Sequence, residues 1–175
     1  MNQQQWSDDD KSLASTIGKV SSVLGSDSFS TGDRAALRRM QPGQNPPLAY
    51  FRFALRYLPS SWEQQLDDWI AITAGIALMS PQAHDPERKM GRALAEVGFS
   101  EERLERLLSS DGEVRRLLLL RAARFLAAKS KAMNWVEGAQ LLLTPKGERR
   151  ESLHRRIAKD FYDVLVQAEQ REEKE

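Results

Sequence analysis

The stretch Ile70-Ala71-Ile72-Thr73-Ala74-Gly75-Ile76-Ala77-Leu78-Met79 carries no charge and a single hydroxyl. Wound as a helix it is apolar nearly all round, and such a helix must be enclosed on every side. Lipid is excluded as the enclosure, because the run from Trp69 to Met79 is about half of the ~20 residues that span a bilayer. Protein must therefore surround it, which places this segment at the centre of a helical bundle. The small residues Ala74, Gly75 and Ala77 let the neighbouring helices approach closely.

Those neighbours are legible along the chain. Strand-like alternation is almost absent, and the breaks carry cap or turn residues. Ser7, followed by Asp8, Asp9 and Asp10, reads as a helix start, with Leu13, Ile17, Val20 and Leu24 recurring at helical spacing up to a stop at Gly25. Thr31 reads as the cap of a short helix to Met40. Pro46-Pro47 opens an aromatic-rich helix to Leu58, in which Tyr50, Phe51, Phe53 and Tyr57 read as core. Ser60 or Ser61 caps the helix from Trp62 to Met79. Ser80 to Lys89, with two prolines and mixed charge, reads as an exposed loop. Beyond it, helices follow from Met90 to Val97, from a Ser100 cap, from an Asp111 cap as the long helix Gly112 to Ala132, from Asn134, and from Glu148 to Gln170. The expected fold is all-α, a compact bundle of about eight or nine helices forming one body or two small lobes. The expected division is an N-terminal helix and Ser-rich linker (1–31), a first lobe with the apolar central helix (32–79), a loop (80–89), a basic second lobe (90–170) and a charged tail (171–175).

Composition narrows the function classes. Hydrophobic residues are 41% and charged residues 29%, the balance of a folded domain and not of a disordered chain. Cysteine is absent, so a disulfide framework, a thiolate metal site and a cysteine nucleophile are excluded. The N-terminus lacks the basic start and apolar stretch of a secretory signal, and a cytoplasmic location is the simplest reading. No phosphate-binding glycine loop, dinucleotide fingerprint or His-Glu-x-x-His motif is present. His84 and His154 lie far apart in sequence. The adjacent Asp67 and Asp68 point about 100° apart on a helix and do not easily share a metal. The chain reads as a non-enzyme, with no metal site and no cofactor.

Charge distribution is more informative than the net charge of +1. Gly112 to Lys159 holds 12 Lys/Arg against 4 Asp/Glu, and the remainder holds 14 against 21. Such asymmetry suits a phosphate-facing surface. Arg121, Arg124 and Lys131 are expected on one stripe of the long helix, along about 15 Å at ~1.5 Å per residue. Arg149 and Arg156 share a face of the last helix, Arg155 and Lys159 lie on an adjacent one, and Lys146, in the turn before, extends the patch. Arg38 and Arg39 end the second helix, where they also complement its dipole. Arginine suits phosphate because its planar fork donates two parallel hydrogen bonds and keeps its charge. The pattern describes a surface that follows a nucleic-acid backbone without reading bases.

Four elements resemble a known family. They are Gly32-Asp33-Arg34-Ala35-Ala36-Leu37-Arg38-Arg39; Met90-Gly91-Arg92-Ala93-Leu94-Ala95 with Ser100-Glu101-Glu102-Arg103 and Leu107-Leu108; Asn134-Trp135; and His154-Arg155-Arg156-Ile157-Ala158-Lys159-Asp160-Phe161-Tyr162. In order and spacing these resemble the CasB family, the small subunit of the type I-E CRISPR Cascade complex, over about Gly32 to Tyr162. The resemblance implies a non-catalytic helical subunit, present in two copies, touching the backbone subunits and the large subunit. It implies contact with guide RNA and target DNA, above all the displaced non-target strand, and stabilisation of the R-loop. The matching basic positions are Arg38, Arg39, Arg121, Arg124, Arg155 and Arg156. Lys146, Arg149 and Arg150 lie in a turn where the family is basic but variable. The lead before Gly32, the Ser80–Lys89 loop and the acidic tail have no counterpart in the resemblance. Two other readings compete: a protein-only adaptor whose arginines contact acidic partner surfaces, and a helix-turn-helix reader. The second is disfavoured because the long helix is rich in leucine and alanine and poor in side chains suited to base edges.

Overall fold

The computed structural model describes residues 3–174, with side chains from Asp9 onward. Among them are α1 (Gln3–Gly25), α2 (Thr31–Arg38), α3 (Leu48–Tyr57), α4 (Leu66–Met79), α5 (Met90–Glu96), α6 (Glu101–Ser109), α7 (Gly112–Ala128), α8 (Trp135–Leu143) and α9 (Glu148–Glu172). No strand occurs among the described residues, so the all-α expectation holds.

The apolar run becomes α4, and every residue from Trp69 to Ala77 is buried, as is Met79. Helices α1, α2, α7 and α8 pack around it. The α1 stripe of Ile17, Val20 and Leu24 is fully buried, as are Tyr50 on α3 and Leu119, Leu120 and Leu126 on α7. The expected small-residue approach is present. A methyl group built on Gly75 would lie 2.2 Å from the Trp135 ring, so the indole of α8 fills the place of a side chain on α4.

A second close contact joins α5 to α9. Leu153, Ile157 and Phe161, spaced by four, form the buried stripe of α9. Gly91 lies so near this helix that a methyl group there would sit 2.1 Å from the Ile157 carbonyl oxygen. The obstacle is backbone, which cannot rotate away.

Several boundaries differ from the expectation. Helix α1 begins by Gln3, so Ser7 lies inside it; the Ser7 side chain is outside the described ones. Ser30, not Thr31, caps α2, its hydroxyl accepting from the Asp33 amide at 3.2 Å. Trp62–Gln65 is a 3₁₀ turn leading into α4. Helix α7 stops at Ala128 because Ser130 takes a left-handed conformation (φ 52°) and the Lys131 amide turns back to the Leu126 carbonyl at 3.0 Å. Ser100 and Asn134 cap their helices as expected.

The 80–89 segment is pinned, not a free loop. The Met133 amide donates to the Ala83 carbonyl (3.2 Å), the Asp85 amide to the Met133 carbonyl (3.0 Å) and the Asn134 amide to the Arg88 carbonyl (2.6 Å). The Trp135 amide donates to His84 Nδ1 at 3.1 Å. Burial lowers the His84 pKa from its usual 6.5, outweighing the Met133 carbonyl and Asp85, which favour the charged ring.

Two outcomes follow from this packing. Gly91→Ala is expected to destabilise by about 1–3 kcal/mol through overpacking. Gly18→Ala, on α1 with open space around it, is expected to stabilise by about 0.5–1 kcal/mol; urea titrations of both variants check the pair. A histidine held neutral by the fold takes up its proton first in the unfolded chain, so stability is full above pH 6.5 and declines below it. Urea midpoints at about pH 7.5 and 5.5 are expected to show that decline. His84→Asn, which keeps an acceptor for the Trp135 amide, should reduce it, and an undiminished decline would clear His84 as a source.

Candidate nucleic-acid interface

The basic residues separate into groups by what their side chains already hold. The first group gathers around Asp111, at the start of α7. Its carboxylate does not cap that helix. It receives Lys146 Nζ at 2.7 Å and Arg150 at 2.7 Å, with Arg115 at 3.9 Å. The Lys146 hydrogen bond is the largest influence on Asp111 and, with the charges of Lys146, Arg115 and Arg150, holds its pKa below the usual carboxylate value against partial desolvation. Arg150 also donates to the Thr144 carbonyl at 2.9 Å and is only 14% exposed.

Arg115 belongs to the architecture. Its guanidinium is buried and donates to the carbonyls of Ser110 (2.6 Å), Leu141 (3.1 Å) and Leu108 (2.8 Å), tying the α6–α7 turn to α8. Arg116 pairs with Asp68 at 2.6 Å, and Asp67 accepts from the Gly43 amide at 2.9 Å. The two adjacent carboxylates of α4 thus serve separate contacts. His154 lies near the same cations. Burial lowers its pKa first, then the charges of Arg115 and Arg150, opposed by Asp111 and Glu151.

A second group occupies the α8–α9 surface. Arg149 pairs with Asp10 of α1, and the same Asp10 oxygen accepts from Gln140 Nε2 at 3.1 Å. Arg156 donates to Glu137 at 3.3 Å and to the Gln140 amide oxygen at 3.5 Å. Glu137 is buried, and its other oxygen accepts from the Met90 amide at the start of α5 (2.7 Å). Arg155, one position away, is 68% exposed, and its ion pair among the described residues is with Glu151 at 3.9 Å.

The remaining candidates stand apart. Arg121 and Arg124 are exposed on α7 and make no hydrogen bond or ion pair among the described residues. Lys131 does not continue their stripe, since α7 has ended; it is half-buried in the following turn. Arg38 donates to the Ala77 carbonyl at 3.3 Å and so closes the end of α4, while Arg39 stays exposed. The structure therefore brings Lys146, Arg149, Arg150 and Arg156 together around α8 and the start of α9. It does not join them by direct contacts to Arg121, Arg124, Arg38 or Arg39. Sequence reading missed the carboxylates that organise this surface. Glu137 gave no signal, and Asp111 signalled a cap it does not make.

Among the described residues no group of three or more His, Asp or Glu is placed to hold a metal ion. No helix among them is long and apolar enough to cross a membrane. With this geometry in place, the comparison with known families is specific. The model of the family described as CRISPR-associated protein Cse2 matches residues 33–162. No curated protein matches the chain.

The division between structural and available arginines is measurable. Arg115→Met leaves the buried Leu141 carbonyl and the partly buried Ser110 and Leu108 carbonyls without their donor and is expected to cost about 2–4 kcal/mol in chemical denaturation. Arg121→Ala and Arg124→Ala are expected to stay within about 0.5 kcal/mol of the parent. Equal losses at the three positions would overturn the division.

Proposed function

The chain belongs to the Cse2 family of CRISPR-associated proteins, small subunits of the Cascade complex, and on that premise we propose that it is a non-catalytic holder of a nucleic-acid backbone. In this reading it stabilises the R-loop by contacting the displaced non-target strand. Two copies act beside the backbone and large subunits, in contact with guide RNA and target DNA, in the cytoplasm.

The supporting observation is on α7. Arg115 and Arg116 are committed to internal partners, whereas Arg121 and Arg124 on the same helix are exposed and have none among the described residues. Fixed, desolvated cations contribute to the fold; free ones are available to phosphate. Arg39, Lys131 and Arg155 join them as available contacts. Lys146, Arg149, Arg150 and Arg156 can meet a strand only by sharing or exchanging their carboxylates, and Arg38 by leaving or sharing the Ala77 carbonyl.

The physics suits a weak surface. Replacing a DNA duplex by a guide–target heteroduplex is a near-balanced exchange, so modest stabilisation of the displaced strand tips it. Each phosphate neutralised releases counterions, which makes such binding salt-dependent and indifferent to sequence. Two copies held in one complex add their few contacts at high effective concentration.

A protein-only adaptor is the second reading, favoured by a stripe on α3 where Leu48 and Leu55 are 81% and 76% exposed. R-loop formation by the assembled complex separates the two. The variant of choice is Arg39→Glu/Arg121→Glu/Arg124→Glu/Arg155→Glu, which spares Arg156 because reversing it would strand the buried Glu137. Four exposed contacts at ~0.3–0.5 kcal/mol each predict R-loops weakened about tenfold, with assembly intact and a shallower salt dependence. Unchanged R-loops would favour the adaptor, and failed assembly would place these arginines at a subunit interface.

A further inference from the structure

One side of α3 alternates cations with rings. Ala49, Arg52, Phe53, Arg56 and Tyr57 follow each other at spacings of three and one, so they share a face, next to the stripe of Leu48 and Leu55. This face lines a cavity of about 500 Å³ whose opposite wall is the end of α1 and the turn into α2. Small-ligand sites usually fall between about 300 and 1,000 Å³. The opposite wall is fixed in advance. Arg34 donates to the carbonyls of Leu24 (2.8 Å) and Ser26 (2.6 Å), and the Phe29 amide donates to the Ser26 carbonyl (3.1 Å). Phe29 itself lines the cavity. Its ring centre is 6.1 Å from that of Phe53, which is 5.0 Å from that of Tyr57, so rings run from one wall to the other.

The lining keeps a positive charge with every group in place. Arg52 and Arg56 stand against one lining carboxylate, Asp33, and Asp27 of the same turn lies outside the lining. Arg52 reaches Asp33 through Nη2 alone, at 3.3 and 3.4 Å, so its Nε and Nη1 hydrogens remain for a ligand. Arg56 is exposed and makes no hydrogen bond or ion pair among the described residues. Nothing has to be displaced for an anion to meet both. Ser22, Ser26, Ser28 and Ser30 add uncharged hydroxyls on the α1–α2 side. Ser26 and Ser28 bond each other at 2.8 Å, which uses one hydroxyl hydrogen and leaves the other to donate.

We propose that this cavity takes one nucleotide unit of a single strand, its base against the rings of Tyr57 and Phe29 and its phosphate on Arg56 and Arg52. A bare phosphate would use the arginines and leave the rings idle, and an apolar ligand would do the reverse. A nucleotide uses both, and the hydroxyls suit its sugar and base edges. Every base has a flat face, so stacking holds a strand without reading its sequence. The proposal rests on the reading that the chain holds a displaced strand. It adds a foothold on α3, independent of the α7 arginines and partly insensitive to salt.

The test is binding of a labelled oligothymidylate strand, and of an abasic strand of equal length, to the full chain at low salt and across a salt series. The parent is compared with Tyr57→Leu, Tyr57→Phe and Arg56→Gln, with Arg121→Glu/Arg124→Glu as the control on α7, each checked for its thermal midpoint. Tyr57→Leu is expected to weaken thymidylate binding about fivefold or more, the low end for one stacked base, and to leave the abasic strand unchanged. Tyr57→Phe keeps the ring and should bind as the parent does. Arg56→Gln should weaken both strands about 1.5- to 5-fold and make the salt slope shallower by about 0.7, the share of one phosphate on a single strand. An iodouracil-bearing strand should photocrosslink to Tyr57 or Phe29. If Tyr57→Leu fails to fold, that crosslink and Arg56→Gln decide. Losses at Arg56 with no dependence on the base make the cavity a phosphate contact alone and overturn the nucleotide site. If only Arg121→Glu/Arg124→Glu weakens binding and the crosslinks map elsewhere, the cavity is overturned and the strand-holding reading stands. If the parent binds neither strand, both fail.

Discussion

Everything in this molecule is arranged by the need to enclose α4. A helix buried on all faces has no solvent side, so helices must cover it all round, and α1, α2, α7 and α8 do so. At about 25 cal/mol per Å², burying one large apolar side chain contributes roughly 1.5–3 kcal/mol, and α4 contributes several. That enclosure fixes the faces of its neighbours. Leu119, Leu120, Ala122, Ala123 and Leu126 of α7 must turn inward, which leaves Arg121 and Arg124 turned out. The available cations of α7 are thus a by-product of covering α4.

Electrostatics then sorts the remaining cations. Of the 12 lysines and arginines between Gly112 and Lys159, Arg115, Arg116, Lys146, Arg149, Arg150, Arg155 and Arg156 each have a carboxylate within 4 Å. These pairs are unequal. Arg116–Asp68 is largely shielded from solvent, and Glu137 is buried beneath Arg156. Removing one partner there would leave a desolvated charge. The pairs of Arg155, Arg149 and Lys146 are open, and water competes for them as phosphate would. A charge count therefore overstates the surface that can attract a strand, and the exposure of each pair says by how much.

The fold was legible because it rests on periodicity. Stripes such as Ile17, Val20 and Leu24, or Leu153, Ile157 and Phe161, repeat at helical spacing whatever lies opposite them. The resemblance to a small Cascade subunit was legible for a related reason, since Gly91 and Trp135 are needed by close contacts that admit little else. What the residues concealed was the partner of each arginine. Arg34 stood in the sequence only as part of the Gly32–Arg39 element, with no sign of its partners, yet its guanidinium donates to the carbonyls of Leu24 and Ser26 and holds the turn after α1. Arg115 and Arg121, six positions apart on one helix, carry the same side chain. Only the packing of the α6–α7 turn against α8 makes the first structural. The end of α7 was hidden likewise, because a serine in the left-handed conformation leaves no glycine signature, and Lys131 was counted on a stripe it does not reach.

These constraints bear on how strong a single copy should be. A surface with every cation free would bind any polyanion, and its affinity would be set by salt and not by the state of the guide–target duplex. Internal carboxylates lower that background without removing the arginines, since open ion pairs such as Lys146–Asp111 are weak. On the proposed reading of two neighbouring copies, affinity would be restored only where one strand lies across both, because the second contact then becomes intramolecular. A subunit whose basic residues are partly neutralised by its own helices is thus better suited to holding a strand that a complex has already opened than to capturing one from solution.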